Sequence, residues 1–432
     1  MTTVLSIPGR RRLSAPPLNG LLGLVGLLLL TLPFYRALTV PLGPVHLSIA
    51  DGLTMLAGLY LGSAFCMGRE LAWPGRGFSI ALGLFLFGVC GSIVDAHTRS
   101  RSIHFMASIG LDLVLLVTVY QCVRTAHGLR IFTRCYVAAA TLVAAIAILQ
   151  TVALFTGGVL GSAAGTLAAR NEMVFLLLPG FAMALASTFQ RGPRRVVYGL
   201  AAFTILTAIV LSRGRAGTAF CLLLLAWVPV LVLRTRSFRL LEALLLWGCL
   251  LLAGVVFFTG TGIGGELLGR YTTSLQLELQ DQRGSAWTRY EVLRGAWSAF
   301  ESSPVFGIGA ENFKLSSGQY VDSGVQAGVD DPGSIPPHST YLGTLAETGL
   351  VGFVGLLGLV IAGLGSLRCI RHSGTEERNL VAGAAAAFTS LAAFLLVFDA
   401  SARPVTWMFL GLALAVREVA PSPRFRPVVV TL

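Results

Sequence analysis

Apolar runs centred near residues 26, 56, 86, 113, 143, 181, 204, 224, 250, 353, 390 and 411 alternate with short polar joints along the chain. A helix needs about 20 apolar residues to cross a hydrocarbon core, so runs of this length predict twelve spanning helices. Two are weaker. The sixth, "MVFLLLPGFAMALAST", is interrupted by proline and glycine, and the twelfth is short. The pattern predicts an all-α, polytopic helical membrane protein of about 12 transmembrane helices. Helices one to nine fall in residues 1–259, and helices ten to twelve with a tail fall in 340–432.

Between residues 260 and 339 the alternation stops, and the chain becomes polar and rich in Gly, Ser, Asp and Gln. This stretch alone is long enough to build a site outside the bilayer. Within it, "SAWTRYEVLRGAWSAF" spaces Trp287, Leu293, Ala296 and Phe300 for one helical face, and "SSPVFGIG" supplies the stop. These signals predict an amphipathic helix near the membrane surface, followed by a turn.

Composition sharpens this picture: 55% of residues are hydrophobic and only 12% charged, which excludes an ordinary soluble domain. The formal net charge is +12, from 32 basic and 20 acidic residues, and Lys314 is the only lysine. With the N-terminus inside, 20 basic residues fall on the inner side and only 7 in the short joints of the other side. The remaining 5 lie in the long polar stretch, which the positive-inside rule discounts. That asymmetry predicts cytoplasmic termini, an external 260–339 segment and a protein of the bacterial inner membrane. Because the charge is distributed joint by joint, a nucleic-acid partner is not expected. "GRRRLSAPPLNGLLGLVGLLLL" has the form of a signal peptide, but the many later spans favour an uncleaved first helix. The seven cysteines form no CxxC pair, so neither a disulfide framework nor a thiolate metal site is expected.

Seven arginines defy the charge rule by sitting in short external joints: Arg36, Arg99, Arg101, Arg170, Arg213, Arg215 and Arg403. Interface anchoring accounts for an isolated one. Arg213 and Arg215 differ, because "VLSRGRAGTAF" is too short to carry them away from the bundle and its glycines admit close approach of a ligand. Two planar guanidinium forks there can clamp phosphate oxygens. Among the histidines, His338 stands apart, stiffened by "GSIPP" and leading directly into the tenth span. A neutral imidazole there can accept a proton from a sugar hydroxyl. The acidic residues of the polar stretch show no metal-ligand spacing, and "GIGAEN" lacks the context of a dinucleotide fingerprint and reads as a turn. Asp51 and Asp112, inside apolar segments, keep a solute-transporter reading open.

Three elements stand in order: "LSRGRAG"; Arg289, fifteen residues before "PVFGIG" with Asn312 following; and His338 before "STYLGTLAETGLVG". Together, over roughly residues 205–360, they resemble the bacterial O-antigen ligase and O-antigen polymerase superfamily. One departure is that Ser339 stands where that family usually has asparagine. The resemblance implies an inverting glycosyltransferase needing neither metal nor cofactor. Its donor would be a glycan on undecaprenyl diphosphate, and its acceptor a glycan or glycolipid such as lipid A core, at the periplasmic face. It further implies that Arg213, Arg215 and Arg289 hold the diphosphate while His338 orients or deprotonates the attacking hydroxyl. A polymerase would share donor and motifs, but the ligase motifs match better.

Overall fold

The computed structural model describes residues 19–34, 39–42, 45–156, 164–167, 169–233, 248, 285–322, 325, 335–374, 377–401 and 403–419. The helices are α1 (Asn19–Thr31), α2 (Ile49–Cys66), α3 (Arg76–Ser92), α4 (Arg99–Val123), α5 (Ala126–Thr156), α6 (Arg170–Ser187), α7 (Arg194–Leu211) and α8 (Arg215–Leu233). They continue with α9 (Ser285–Ser302), α10 (Phe313–Tyr320), α11 (Thr340–Leu364), α12 (Ser366–Cys369), α13 (Arg378–Phe394) and α14 (Pro404–Val419). Eleven of the twelve expected centres fall inside these helices, and the one near 250 lies outside the described residues. The chain is an all-α polytopic membrane protein. Six helices among the described residues are long and apolar enough to cross a bilayer.

The interrupted sixth run forms a helix because α6 is enclosed rather than exposed to lipid. Every residue from Met173 to Ser187 is buried, including Pro179. An enclosed helix can spend length on small and kinking residues, since neighbouring helices satisfy its backbone.

Helices α3 and α11 approach closely because α11 presents Gly352, Gly355 and Gly358 along one side. A Cβ on Gly355 would collide with the backbone of Phe85, and one on Gly88 of α3 with the backbone of Gly352. Small residues at such a seam replace the hydrophobic drive that lipid removes with close packing.

Two details depart from expectation. Strands β1 (Thr39–Leu42) and β2 (Val45–Ser48) pair antiparallel, Thr39 with Ser48 and Leu42 with Val45. The pair delivers Ser48 as the N-cap of α2, where Ser48 and Asp51 make a reciprocal capping box. Asp51 is therefore satisfied by a helix end, and an intramembrane role is not needed for it. In α9 the buried positions are Glu291, Val292, Gly295, Ala296 and Ala299, whereas Trp287 and Trp297 are exposed. The anticipated helix exists, and of the anticipated face Ala296 is buried, Leu293 and Phe300 are partly buried and Trp287 is exposed.

Candidate functional site

Helix α11 is not continuous. At Gly349 the backbone takes φ 64°, ψ −167°, and a Cβ there would collide with the carbonyl oxygen of Val305. Only glycine accommodates both conditions. The break exposes backbone groups that residues 304–309 take up. Ile308 N–H donates to Ala346 O at 3.0 Å and Gly309 N–H to Glu347 O at 3.1 Å, while Leu350 N–H donates to Pro304 O at 2.9 Å. Gly307, at φ 72°, makes the required turn. "PVFGIG" is thus a backbone-docked turn, as its sequence suggested, fitted to a broken spanning helix.

Asn312 locks this turn to the start of α4. It is fully buried; its Oδ1 accepts from Thr98 N–H at 2.7 Å and its Nδ2 donates to Ser102 Oγ and to Ala310 O, both at 2.9 Å. From the other side, Glu347 Oε1 accepts from Phe313 N–H at 3.0 Å. Buried polar groups this well satisfied fix geometry.

The same platform carries the approach to His338. Ile335 N–H donates to Ser317 Oγ of α10 at 3.1 Å, after which Pro336 and Pro337 limit the backbone. His338 takes φ 55°, a left-handed conformation uncommon for a side chain of its size. Ser339 then caps α11, its Oγ accepting from Leu342 N–H at 3.5 Å. Serine and asparagine are both good N-caps, so the departure at Ser339 preserves the local geometry. Thr340 fastens the junction to the turn between α13 and α14. Its N–H donates to Leu395 O at 2.9 Å, its Oγ1 donates to Phe398 O at 2.9 Å, and Ala400 N–H donates to the same Oγ1 at 2.8 Å.

Burial lowers the His338 pKa from its ordinary 6.5, and the Arg289 guanidinium on α9 lowers it further. The two residues therefore interact, and the imidazole is held neutral. Asp399, partly buried in the turn that anchors Thr340, is pushed up to about 6 by burial, against the opposing pull of Ser401 N–H and Arg403. Beside it, Arg403 Nη2 lies 2.8 Å from Glu172 Oε1 in the first turn of α6. Sequence reasoning missed Asp399 and Glu172: both needed partners distant in the chain, and no spacing signals that.

Arg213 and Arg215 occupy the α7–α8 turn. Arg213 takes φ 59°, while Arg215 is exposed and opens α8. An α-helix start leaves amides without intrahelical partners, and its dipole favours an anion. Aromatic contacts link this turn to the His338 junction. Phe220 of α8 packs on Phe394 at 5.5 Å, Phe394 on Phe398 at 5.7 Å, and Phe398 also on Phe175 of α6 at 5.2 Å. These ring contacts tie α8 and α6 to the turn that anchors Thr340, while Arg289 of α9 acts electrostatically on His338.

Residues 200–357 match the O-antigen ligase family model. The match supports membership of the O-antigen ligase superfamily. It spans both arginine elements, the docked turn and the break in α11, while α1 to α6 lie outside it. No curated protein matches the chain. Similarity to that family over this part of the chain points to ligase-type transfer in a membrane, and it leaves the individual roles of residues to chemistry.

Asp112, the remaining support for transport, is buried in α4, and its Oδ2 has no hydrogen-bond partner among the described residues. It lies within electrostatic range of Arg403 and Asp51. A partly compensated carboxylate beneath the Arg403 pair fits a support for the platform as readily as a transport path.

Proposed function

We propose that the protein transfers a glycan from undecaprenyl diphosphate to a hydroxyl of lipid A core or a similar glycolipid, at the periplasmic face of the inner membrane, with inversion and without metal. His338 takes the proton as the acceptor oxygen attacks the anomeric carbon. The bond from that carbon to the diphosphate oxygen breaks, and its electron pair leaves with the diphosphate, whose charge Arg213, Arg215 and Arg289 compensate. The observation that carries this reading is the fixed placement of His338 at the head of α11, in a left-handed conformation between the Ile335–Ser317 hydrogen bond and the Ser339 cap. An arriving diphosphate would offset the Arg289 field and raise the basicity of His338, so the base would strengthen when donor is bound.

The test is full-length protein in lipid vesicles, supplied with undecaprenyl-diphosphate glycan, acceptor glycolipid and a chelator. Glycan appearing on the acceptor supports the ligase reading. Longer carrier-linked glycan would indicate the polymerase, and no transfer to either would sink both. Orientation is checked separately on α10, where Gln319 is exposed. A Gln319→Cys variant should react with an impermeant maleimide in intact spheroplasts; reaction only after permeabilisation would reverse the topology.

A further inference from the structure

At the far end of α11 from the His338 junction, the helix ends beside a concave site. Arg76, Arg368 and Arg417 line an open pocket of about 550 Å³ whose other walls are glycine, proline and apolar residues, with no carboxylate among them. Its volume suits a small ligand or a lipid headgroup.

The ordinary account of arginines at this end is charge asymmetry plus helix dipoles. It covers Arg368 and Arg417, which lie in the last turns of α12 and α14, where a cation is favourable. It fails for Arg76. That residue opens α3, at the positive end of the helix dipole, and the N-cap Gly75 supplies no side-chain hydrogen bond. Three guanidinium groups and an uncapped helix start therefore converge, and among the described residues no carboxylate is recorded in an ion pair with any of the three. Like charges assembled this way repel unless an anion joins them.

Arg417 is brought in by the absence of a side chain. A Cβ on Gly365 would collide with Arg417 Nη2, so the glycine lets the guanidinium lie across the end of α11. The apolar side points to the kind of anion. Phe78, Ile361 and Leu364 line the same pocket, and Ile361 is 68% exposed on a helix that spans the membrane. The cavity is cationic at its mouth and opens sideways onto a lipid-facing surface.

We propose that this pocket binds an acidic phospholipid, its phosphate held by Arg76, Arg368, Arg417 and the α3 N-terminus and an acyl chain lying along Ile361 and Leu364. Basic pockets between spanning helices hold phosphate-bearing headgroups in this way. A bound lipid would brace α3, α11 and α14 at the end remote from His338.

Native mass spectrometry of the full-length protein in neutral detergent tests it. The probes are phosphatidylglycerol, phosphatidylcholine with the same acyl chains, and inorganic phosphate. Phosphatidylglycerol should be retained at least tenfold better than phosphatidylcholine. Replacing one arginine should weaken retention about fivefold, and the R76Q/R368Q/R417Q variant about a hundredfold. Arg191→Gln with Arg194→Gln, at exposed positions on the same end, should change it little. Equal retention of the two lipids, an unaffected triple variant or an equal loss in the control pair would overturn the site. Displacement of the lipid by millimolar phosphate would overturn its lipid character. If the triple variant does not fold, Gly365→Ala decides: at φ −56° alanine is tolerated, Arg417 is displaced, and unchanged retention would overturn the proposal.

Discussion

The two ends of α11 both gather arginine, and they differ in what answers the charge. At the His338 end, Arg403 meets Glu172 at 2.8 Å, and Asp399 stands in the next turn. A broken helix, a docked turn and a fully bonded Asn312 fix the backbone at this end. At the other end, three arginines and an uncapped helix start share a pocket without a carboxylate. Arginine alone therefore marks neither catalysis nor anchoring. What distinguishes the ends is whether the protein supplies the counter-charge and how firmly it fixes the geometry around it.

The largest effect expected from that difference falls on the fixed end. His338→Gln should lower turnover by about 10² to 10⁴-fold, the usual range for a positioned general base, while leaving donor retention intact. Glutamine still hydrogen-bonds an acceptor hydroxyl but cannot take its proton. Single-turnover transfer assays would read this, and near-wild-type turnover would reduce His338 to an orienting group.

Next comes the arginine turn. Arg215→Lys keeps the charge but loses the planar fork, and should cost roughly 10 to 100-fold in transfer, the worth of one charged hydrogen bond. Arg101→Lys, exposed on α4, should cost little. Equal behaviour of the two variants in the same assay would make Arg215 an interface anchor.

Hydrophobic runs made the spans legible, because a lipid-crossing helix is specified locally by length and apolarity. Even α6 was legible despite Pro179, since enclosure tolerates what its sequence lacks. Candidate site residues could be named from the sequence where one short segment carries them, as at "SRGR" and at His338. Partners were not: Glu172 and Arg403 are 231 residues apart, and Thr98 and Asn312 are 214 apart. Asp51 misled because a capping carboxylate and an intramembrane one look alike until β2 shows where α2 begins. The face of α9 was legible only in part: Ala296 is buried as expected, whereas Trp287 is exposed and the remaining buried positions are Glu291, Val292, Gly295 and Ala299.

A smaller effect should separate structural pairing from substrate binding. Glu172→Gln removes the counter-charge of Arg403, whose side chain is 37% exposed, so the loss is softened by solvent. A stability decrease of about 1 kcal/mol is expected from such a pair, read as a lowered unfolding midpoint in detergent. Donor retention should be unchanged. Loss of donor binding at unchanged stability would move Arg403 from the platform into the diphosphate site.

The finest distinction concerns the two causes acting on His338. Burial is the larger and Arg289 the smaller, and both lower its pKa below 6.5. For a base that works neutral, the acid limb of kcat/KM should therefore lie below pH 6.5 in the wild type. Arg289→Gln removes only the charge, so the limb should move upward yet stay below 6.5, with burial still acting. Arg289→Lys should leave the limb in place while weakening donor binding, because it keeps the cation and loses the fork. Stability follows the same sign. The unfolded chain takes up the proton first as pH falls through about 6.5, so the contribution of His338 to stability is complete above that value and declines below it. A limb that stays put in Arg289→Gln would show that Arg289 acts on the donor alone, and that burial by the docked turn and the head of α11 suffices to keep the imidazole neutral.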